Sequence, residues 1–287
     1  MSNDNKSLTI DEALNLAIKN HQENNIEEAT NLYKKVLEID PNYASAHNNL
    51  GTIFQKLEEH QKAISYYVKT IKIDPNHINA HRNLGVIFKN LGENLKAESY
   101  FKKVIQIDPN NENANNNLGV LFQSLGKYQN AISFYEKTLK ANPNHTYGNY
   151  NFGILLKTLG RFQEAKVYFE KAIEIKPDNV DAYSNLGLIH RELREYQKAK
   201  FYFEKAIEIN PNHTETYWNA HTLSSNIDEA LIIFKKIYKI DNNHIKSKIM
   251  ISALEGYKGN FKMFDEILAS SDSSHPNTRS VKWVFSL

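Results

Sequence analysis

Six prolines, Pro41, Pro75, Pro109, Pro143, Pro177 and Pro211, are spaced evenly by 34 residues, and only one other, Pro276, occurs in the 287-residue chain. A fixed period of that order marks a stack of similar supersecondary units, each of which buries its apolar face only against its neighbours. Other residues keep the same step. Gly51, Gly85, Gly119, Gly153 and Gly187 share one phase. Ala29, Ala63, Ala97, Ala131, Ala165 and Ala199 share a second, and Tyr33, Tyr67, Phe101, Tyr135, Phe169 and Phe203 a third.

One unit, Ala44–His77, shows what the period builds. With Ala44 as position one, His47, Leu50, Gly51 and Phe54 fall at positions four, seven, eight and eleven, an amphipathic helical stripe. Leu57-Glu58-Glu59 follows and becomes Leu-Gly-x in the next three units, with Gly92, Gly126 and Gly160 suited to a left-handed helix end. A second stripe runs through Ala63, Tyr67 and Thr70 to Ile73-Asp74-Pro75-Asn76, where proline stops the helix. The spacing therefore predicts helix–turn–helix units, with helices of about 13 residues. The small residues let the helices approach closely, and the aromatic series fills the groove beside them.

These residues resemble the tetratricopeptide repeat, W-x2-L-G-x2-Y…A-x3-F…P. In Val180–His213 the match reads Tyr183, Leu186, Gly187, His190, Ala199, Phe203 and Pro211. The resemblance implies an all-α, right-handed superhelical solenoid of antiparallel helix pairs. Its units are expected at 10–43, 44–77, 78–111, 112–145, 146–179 and 180–213, with a degenerate one at 214–244. The last carries Ala220-His221 in place of Leu-Gly, is three residues short near the turn, and has Asn242 where proline belongs. Residues 1–9 are expected as a disordered tail, 245–269 as a capping helix pair, and 270–287 as a linker opening a further domain.

Composition excludes several functions. Formal net charge is +2, with 35 basic and 33 acidic residues interspersed, so no global field favours nucleic acid or membrane. The absence of cysteine rules out disulfides, thiolate metal ligands and a cysteine nucleophile. There is no apolar run long enough to span a bilayer and no secretory leader pattern at MSNDNKSLTI, so the cytoplasm is the expected location. No phosphate-binding loop, H-E-x-x-H or nucleophile elbow occurs, and no cofactor or metal is expected. His77, His145 and His213 recur every second unit, too far apart to share a metal, while His47 and His190 sit on the packing stripe.

One polar position recurs without a gap. Asn15, Asn49, Asn83, Asn117, Asn151, Asn185 and Asn219 all occupy position six. In the family resembled here that face lines the inside of the superhelix, and the series is similar to the asparagine ladder of the O-linked N-acetylglucosamine transferase superhelix, which holds extended protein segments. A carboxamide offers the donor and acceptor that a peptide group needs. Packed helices lie about 8–10 Å apart and an extended peptide rises about 3.3 Å per residue, so one rung per unit matches every third peptide residue. The alternative is structural: each asparagine bonds a neighbouring helix and sets the pitch. Lys89, Lys157 and Arg191 at position twelve, with Gln55 and Gln123 between, would flank the groove and favour an acidic ligand, or simply form a solvated face. Tyr147, Tyr150 and Trp218 lie near the same side, either as anchors or as packing residues.

The expected function is a non-catalytic scaffold, monomeric, that binds an extended peptide or protein segment in the concave groove. A second reading makes the array the substrate-presenting arm of a glycosyltransferase or S-adenosylmethionine-dependent methyltransferase whose catalytic domain lies beyond Leu287. The abrupt apolar run Val281–Leu287 motivates it. A third, self-assembly through an uncapped end, is opposed by the degenerate unit and the pair after it.

Overall fold

The computed structural model describes residues 8–260. Fifteen α-helices and one short 3-10 segment occur among them, with no strand. In order they are α1 Ile10–Gln22, α2 Ile26–Ile39, α3 Ala44–Lys56, α4 His60–Ile73, α5 Ile78–Asn90, α6 Asn94–Ile107, α7 Glu112–Ser124, α8 Tyr128–Ala141, α9 Thr146–Thr158, α10 Phe162–Ile175, α11 Val180–Glu192, α12 Tyr196–Ile209, α13 Thr214–Ala220, α14 Ile227–Ile240 and α15 Ile245–Tyr257. The first helix of every expected unit begins on the residue where the 34-residue period places it. The chain divides into two compact parts, Met1–Gly148 and Asn149–Leu287. In the first, each odd-numbered helix packs on the even-numbered helix after it, which packs in turn on the next odd-numbered one.

The close approach of the paired helices has one geometric cause. A Cβ placed on Gly51 would lie 2.7 Å from Tyr67 Cε1; on Gly85, 2.5 Å from Phe101; on Gly119, 2.6 Å from Tyr135; on Gly187, 2.5 Å from Phe203. The aromatic ring occupies the volume that a side chain would need, and all four rings are fully buried. Interiors packed to crystal density leave no slack for an extra methyl group. The buried stripe on the odd-numbered helices contains the expected one, with Phe88, Phe122, Leu156 and His190 buried at position eleven, and adds positions three and ten. Ala46, Leu50, Gly51 and Ile53, positions three, seven, eight and ten, are buried, while Phe54 is only half-buried and stacks on Tyr66 at 5.4 Å. Ala63, Tyr67 and Thr70 are buried on α4, as the spacing predicts.

The turns inside the repeats need a left-handed residue whether or not glycine is present. Gly92, Gly126 and Gly160 have φ of +76°, +69° and +73°, and Asn24, Glu58 and Arg194 adopt +64°, +61° and +60° at the equivalent place. The three side-chain-bearing residues bear a steric cost that glycine avoids. Between repeats, the side chain before proline adds a bond of its own in every case but Lys176. Asp40, Asp74, Asp108, Asn142 and Asn210 each accept, through Oδ1, the N–H two residues on, at 2.9–3.2 Å. Asp241 does so at 2.9 Å although Asn242 replaces the proline, so the degenerate repeat keeps its turn.

Departures cluster late in the chain. The degenerate repeat has an α13 of only 7 residues followed by a 3-10 turn, His221–Leu223, where its partners have helices of 13 residues. Trp218 packs there against Phe234 at 5.6 Å and His221 at 5.0 Å, a core role. Of the expected capping pair, α15 is present; its second helix, the linker and the terminal apolar run lie outside the described residues, as do residues 1–7 of the N-terminal tail.

Three outcomes follow from this packing. Gly119→Ala should lower stability by about 1–3 kcal/mol, measured by urea titration, because Tyr135 has nowhere to move. Glu58→Gly should raise it by about 0.5–1 kcal/mol, the relief of the left-handed cost exceeding the entropy lost. Burial raises the Tyr67 and Tyr135 phenols above their ordinary value. A value raised in the folded state means stability that is whole below the unfolded phenol value of about 10 and is lost as pH climbs above it. Between about pH 9 and about pH 11 the urea midpoint should therefore fall, and by less in Tyr135→Phe.

Candidate functional site

The position-six asparagines lie on the odd-numbered helices, one per helix, and their surroundings differ from rung to rung. In the N-terminal part, Asn15 is exposed, and Asn49, Asn83 and Asn117 are half-buried. Asn83 Nδ2 donates to the Tyr67 hydroxyl at 3.0 Å. Asn49 hydrogen-bonds the Tyr33 hydroxyl, and its Oδ1 accepts from Asn48 Nδ2 at 3.3 Å. Asn117 makes no hydrogen bond to another described residue. In the C-terminal part Asn151 is half-buried and Asn185 buried. Asn185 Nδ2 donates to the Asp181 carbonyl at 2.8 Å, and its Oδ1 accepts from Lys157 Nζ. Asn219 Nδ2 donates to Ser184 Oγ at 3.3 Å. The two readings of the ladder thus divide by rung: several carboxamides hold neighbouring helices, and Asn117 does not.

Beside Asn83 the side chains form a recess of about 470 Å³, lined by Asn48, Thr52, Gln55, Lys56, Asn79, Arg82 and Asn83. All seven belong to α3 and α5, and the lining is amide, hydroxyl and cation without a carboxylate. A wall of that kind can donate to and accept from a peptide backbone and attracts negative charge. The recess is built by the repeat: positions five, six, nine, twelve and thirteen of a helix face one side because 3.6 residues make a turn.

Position twelve is where the cations divide. Gln55 Oε1 accepts from the Tyr67 hydroxyl at 2.9 Å, and Gln123 Oε1 from Tyr135 at 2.7 Å. Lys89 is half-buried, and burial alone lowers its ammonium from the ordinary value. Burial also lowers Lys157, which Glu215 partly offsets and Arg191 reinforces. Arg191 donates to Thr222 Oγ1 at 3.0 Å and pairs with Glu192 at 2.8 Å. Tyr150, expected as a possible anchor, is half-buried, lies edge-on to Phe169 at 5.7 Å, and has its phenol pushed up to about 12 by burial, with Asp181 and Glu215 adding. Tyr147 is 70% exposed and remains available to a partner.

The histidines are structural. His77 and His145 accept helix N–H groups through Nδ1, at 3.2 Å from Ala80 and 2.8 Å from Gly148. His47 and His81 are buried, with Nε2 at 2.9 and 2.8 Å from the Pro41 and Pro75 carbonyls. His190 is buried against Glu195. The pairing of Gln with Tyr at this face was visible in the sequence but escapes inspection of one column at a time, since it joins residues 12 apart on different helices.

No helix among the described residues is long and apolar enough to cross a membrane. No curated protein matches the chain significantly. Among solved structures it is similar to PilF of Pseudomonas aeruginosa, at 22% identity and a TM-score of 0.67, over 75% of this chain and 97% of that one. PilW, described as a type IV pilus biogenesis factor, is 21% identical with a TM-score of 0.65, over 75% of this chain and 97% of that one. YrrB, described as a TPR protein with an unusual peptide-binding site, is 23% identical with a TM-score of 0.50, over 64% and 95% respectively. These likenesses carry the fold. Tetratricopeptide-repeat family models match residues 44–77, 78–111 and 180–213, a TPR-repeat model 20–58, and a further tetratricopeptide model 110–178. Together they span well over half of the sequence, with the helix bounds and the glycine–aromatic contacts that the pattern demands: the chain is a member of the tetratricopeptide repeat family.

Proposed function

We propose that the protein is a non-catalytic scaffold that docks an extended segment of another protein along the face carrying the position-six asparagines. The family and the pilus and peptide-binding relatives support a protein-interaction role. The observation that carries the finer reading is the amide-lined recess beside Asn83, in which carboxamides, a hydroxyl and two cations line about 470 Å³. Each peptide bond to a carboxamide nets only about 0.5–1.5 kcal/mol, so the affinity must be shared among several rungs. Only at the top of that range do six of them meet the micromolar scale, about 8 kcal/mol, before the peptide's ordering cost, so other contacts must contribute. Lys89, Lys157 and Arg191 add charge selectivity at the groove's flank, with the protein acting as a monomer in the cytoplasm.

A phage-displayed library of random peptides, selected on the full chain, supplies the probes. Replacing Asn83, Asn117, Asn151 and Asn185 together with alanine should weaken the selected peptides at least about ten-fold in titration calorimetry, since two lost bonds suffice for that factor. Helicity by circular dichroism should stay unchanged. Unaltered affinity in a folded quadruple variant would remove the ladder from recognition and leave it a packing device.

A further inference from the structure

The asparagine rungs are of two kinds, and a two-residue pairing decides which. Across the second to sixth repeats, position twelve and the buried aromatic of the same repeat vary together: Gln55 with Tyr67, Lys89 with Phe101, Gln123 with Tyr135, Lys157 with Phe169, Arg191 with Phe203. Glutamine always meets tyrosine, and a cation always meets phenylalanine. The chemistry is direct. A buried phenol must donate its proton, and the glutamine carbonyl accepts it, at 2.9 Å in one repeat and 2.7 Å in another. A lysine or arginine has donors only and cannot take that place. Where the hydroxyl exists, it also accepts from the next asparagine, as Tyr67 does from Asn83 at 3.0 Å. That rung is partly closed, one carboxamide donor of Asn83 being taken up inside the protein.

The Lys89–Phe101–Asn117 rung is the opposite case. Phe101 is fully buried and brings no hydroxyl to Asn117. Lys89 and Asn117 hold the places of Lys157 and Asn185, which bond each other, so an ammonium and a carboxamide can converge at such a rung. In the C-terminal part Asn185 is engaged further by the Asp181 carbonyl, and Glu215 acts on Lys157. Neither the Lys89 ammonium nor the Asn117 carboxamide has a hydrogen bond or ion pair to a described residue. Lys62, Lys96 and Lys102, by contrast, pair with Glu59, Glu93 and Glu98. On the asparagine face of the second to fourth repeats, positions two, five, six, nine and twelve hold no aspartate or glutamate at all. Arg82 and Lys56 in the neighbouring recess likewise have no carboxylate partner among the described residues.

We infer that the Lys89–Asn117 rung is a carboxylate-binding position, open by virtue of Phe101, that seats an aspartate or glutamate side chain of an extended acidic segment. A half-buried ammonium strengthens a charge-assisted bond to such a group, and the carboxamide donates the second hydrogen bond. The closed Tyr67 rung before it leaves only its outer surface to the backbone. The inference rests on the docking reading above and assigns it a charge and a register.

The test converts one kind of rung into the other, using combinations the chain already folds with. Two probes are needed, fluorescent peptides of about twelve residues with repeated Ser-Glu-Ser or Ser-Gln-Ser triplets, both amidated so that side chains supply the only carboxylates. The intact protein should prefer the glutamate peptide by about ten-fold, the scale of a charge-assisted bond. Lys89→Gln with Phe101→Tyr closes the rung and should abolish most of that preference, leaving affinity for the glutamine peptide within about two-fold. Gln55→Lys with Tyr67→Phe opens the preceding rung and should increase the preference. An intact protein that binds both peptides equally, or a closed-rung variant that still prefers glutamate, overturns the inference while leaving docking in place. Binding of neither peptide by the intact protein overturns the docking reading itself.

Discussion

The contact on which everything else rests is a ring lying where a side chain should be. In the second, third and fourth repeats, a fully buried aromatic on the second helix lies 2.5–2.7 Å from where a Cβ would stand on the first-helix glycine. That contact sets the helix separation, and the separation sets the step from one asparagine to the next. The aromatic's far edge reaches the asparagine face as well, which is why Tyr67 Oη meets both Gln55 and Asn83. A residue chosen for packing thus decides the polarity of the surface above it. Core and site are not separate layers in a fold two helices thick.

That coupling changes how the asparagine row is to be understood. A carboxamide has two donors and an acceptor, so bonding a neighbouring helix does not exhaust it. Asn83 uses one donor on Tyr67 and still lines the recess. Asn185, by contrast, gives a donor to Asp181 and its acceptor to Lys157 and is buried. Equal spacing in the sequence therefore does not mean equal availability. The C-terminal part also brings acids to this face, Asp181 and Glu215, whereas repeats two to four bring none. A partner reading the two parts would meet a cationic, amide-rich wall in one and a mixed one in the other.

Nearly all of the helical architecture was legible in the sequence, because a 34-residue period repeats each constraint several times and averages out local noise. Helix starts at Ala44, Ile78, Glu112 and Val180 follow directly from it. The stripe on the odd-numbered helices was read too narrowly: positions four, seven, eight and eleven are buried in most repeats, but two-sided packing also buries positions three and ten, such as Ala46 and Ile53. Proline is not the sole cause of the turn, since Asp241 closes it without one, while Lys176-Pro177 closes it without an Asp or Asn side chain. The turns at Glu58 and Arg194 stand in the column that holds Gly92, Gly126 and Gly160, and they take the same left-handed conformation without glycine.

The site was less legible, and the reason is physical. A column of identical residues reports that a position matters, not whether its hydrogen bonds point inward or outward. That answer lies in a second column, 16 residues earlier, where Tyr or Phe supplies or withholds one hydroxyl. The difference is a single oxygen, yet where it is missing position twelve holds a half-buried cation, Lys89, in place of the glutamine acceptor. Burying an ammonium without a counter-charge is costly, and Lys89 is held below its ordinary basicity as a result. A protein that merely needed a spacer there could have used the glutamine–tyrosine pair present on either side. Its absence at one rung, in a stretch otherwise free of acids, makes that rung the place where a negatively charged partner gains most.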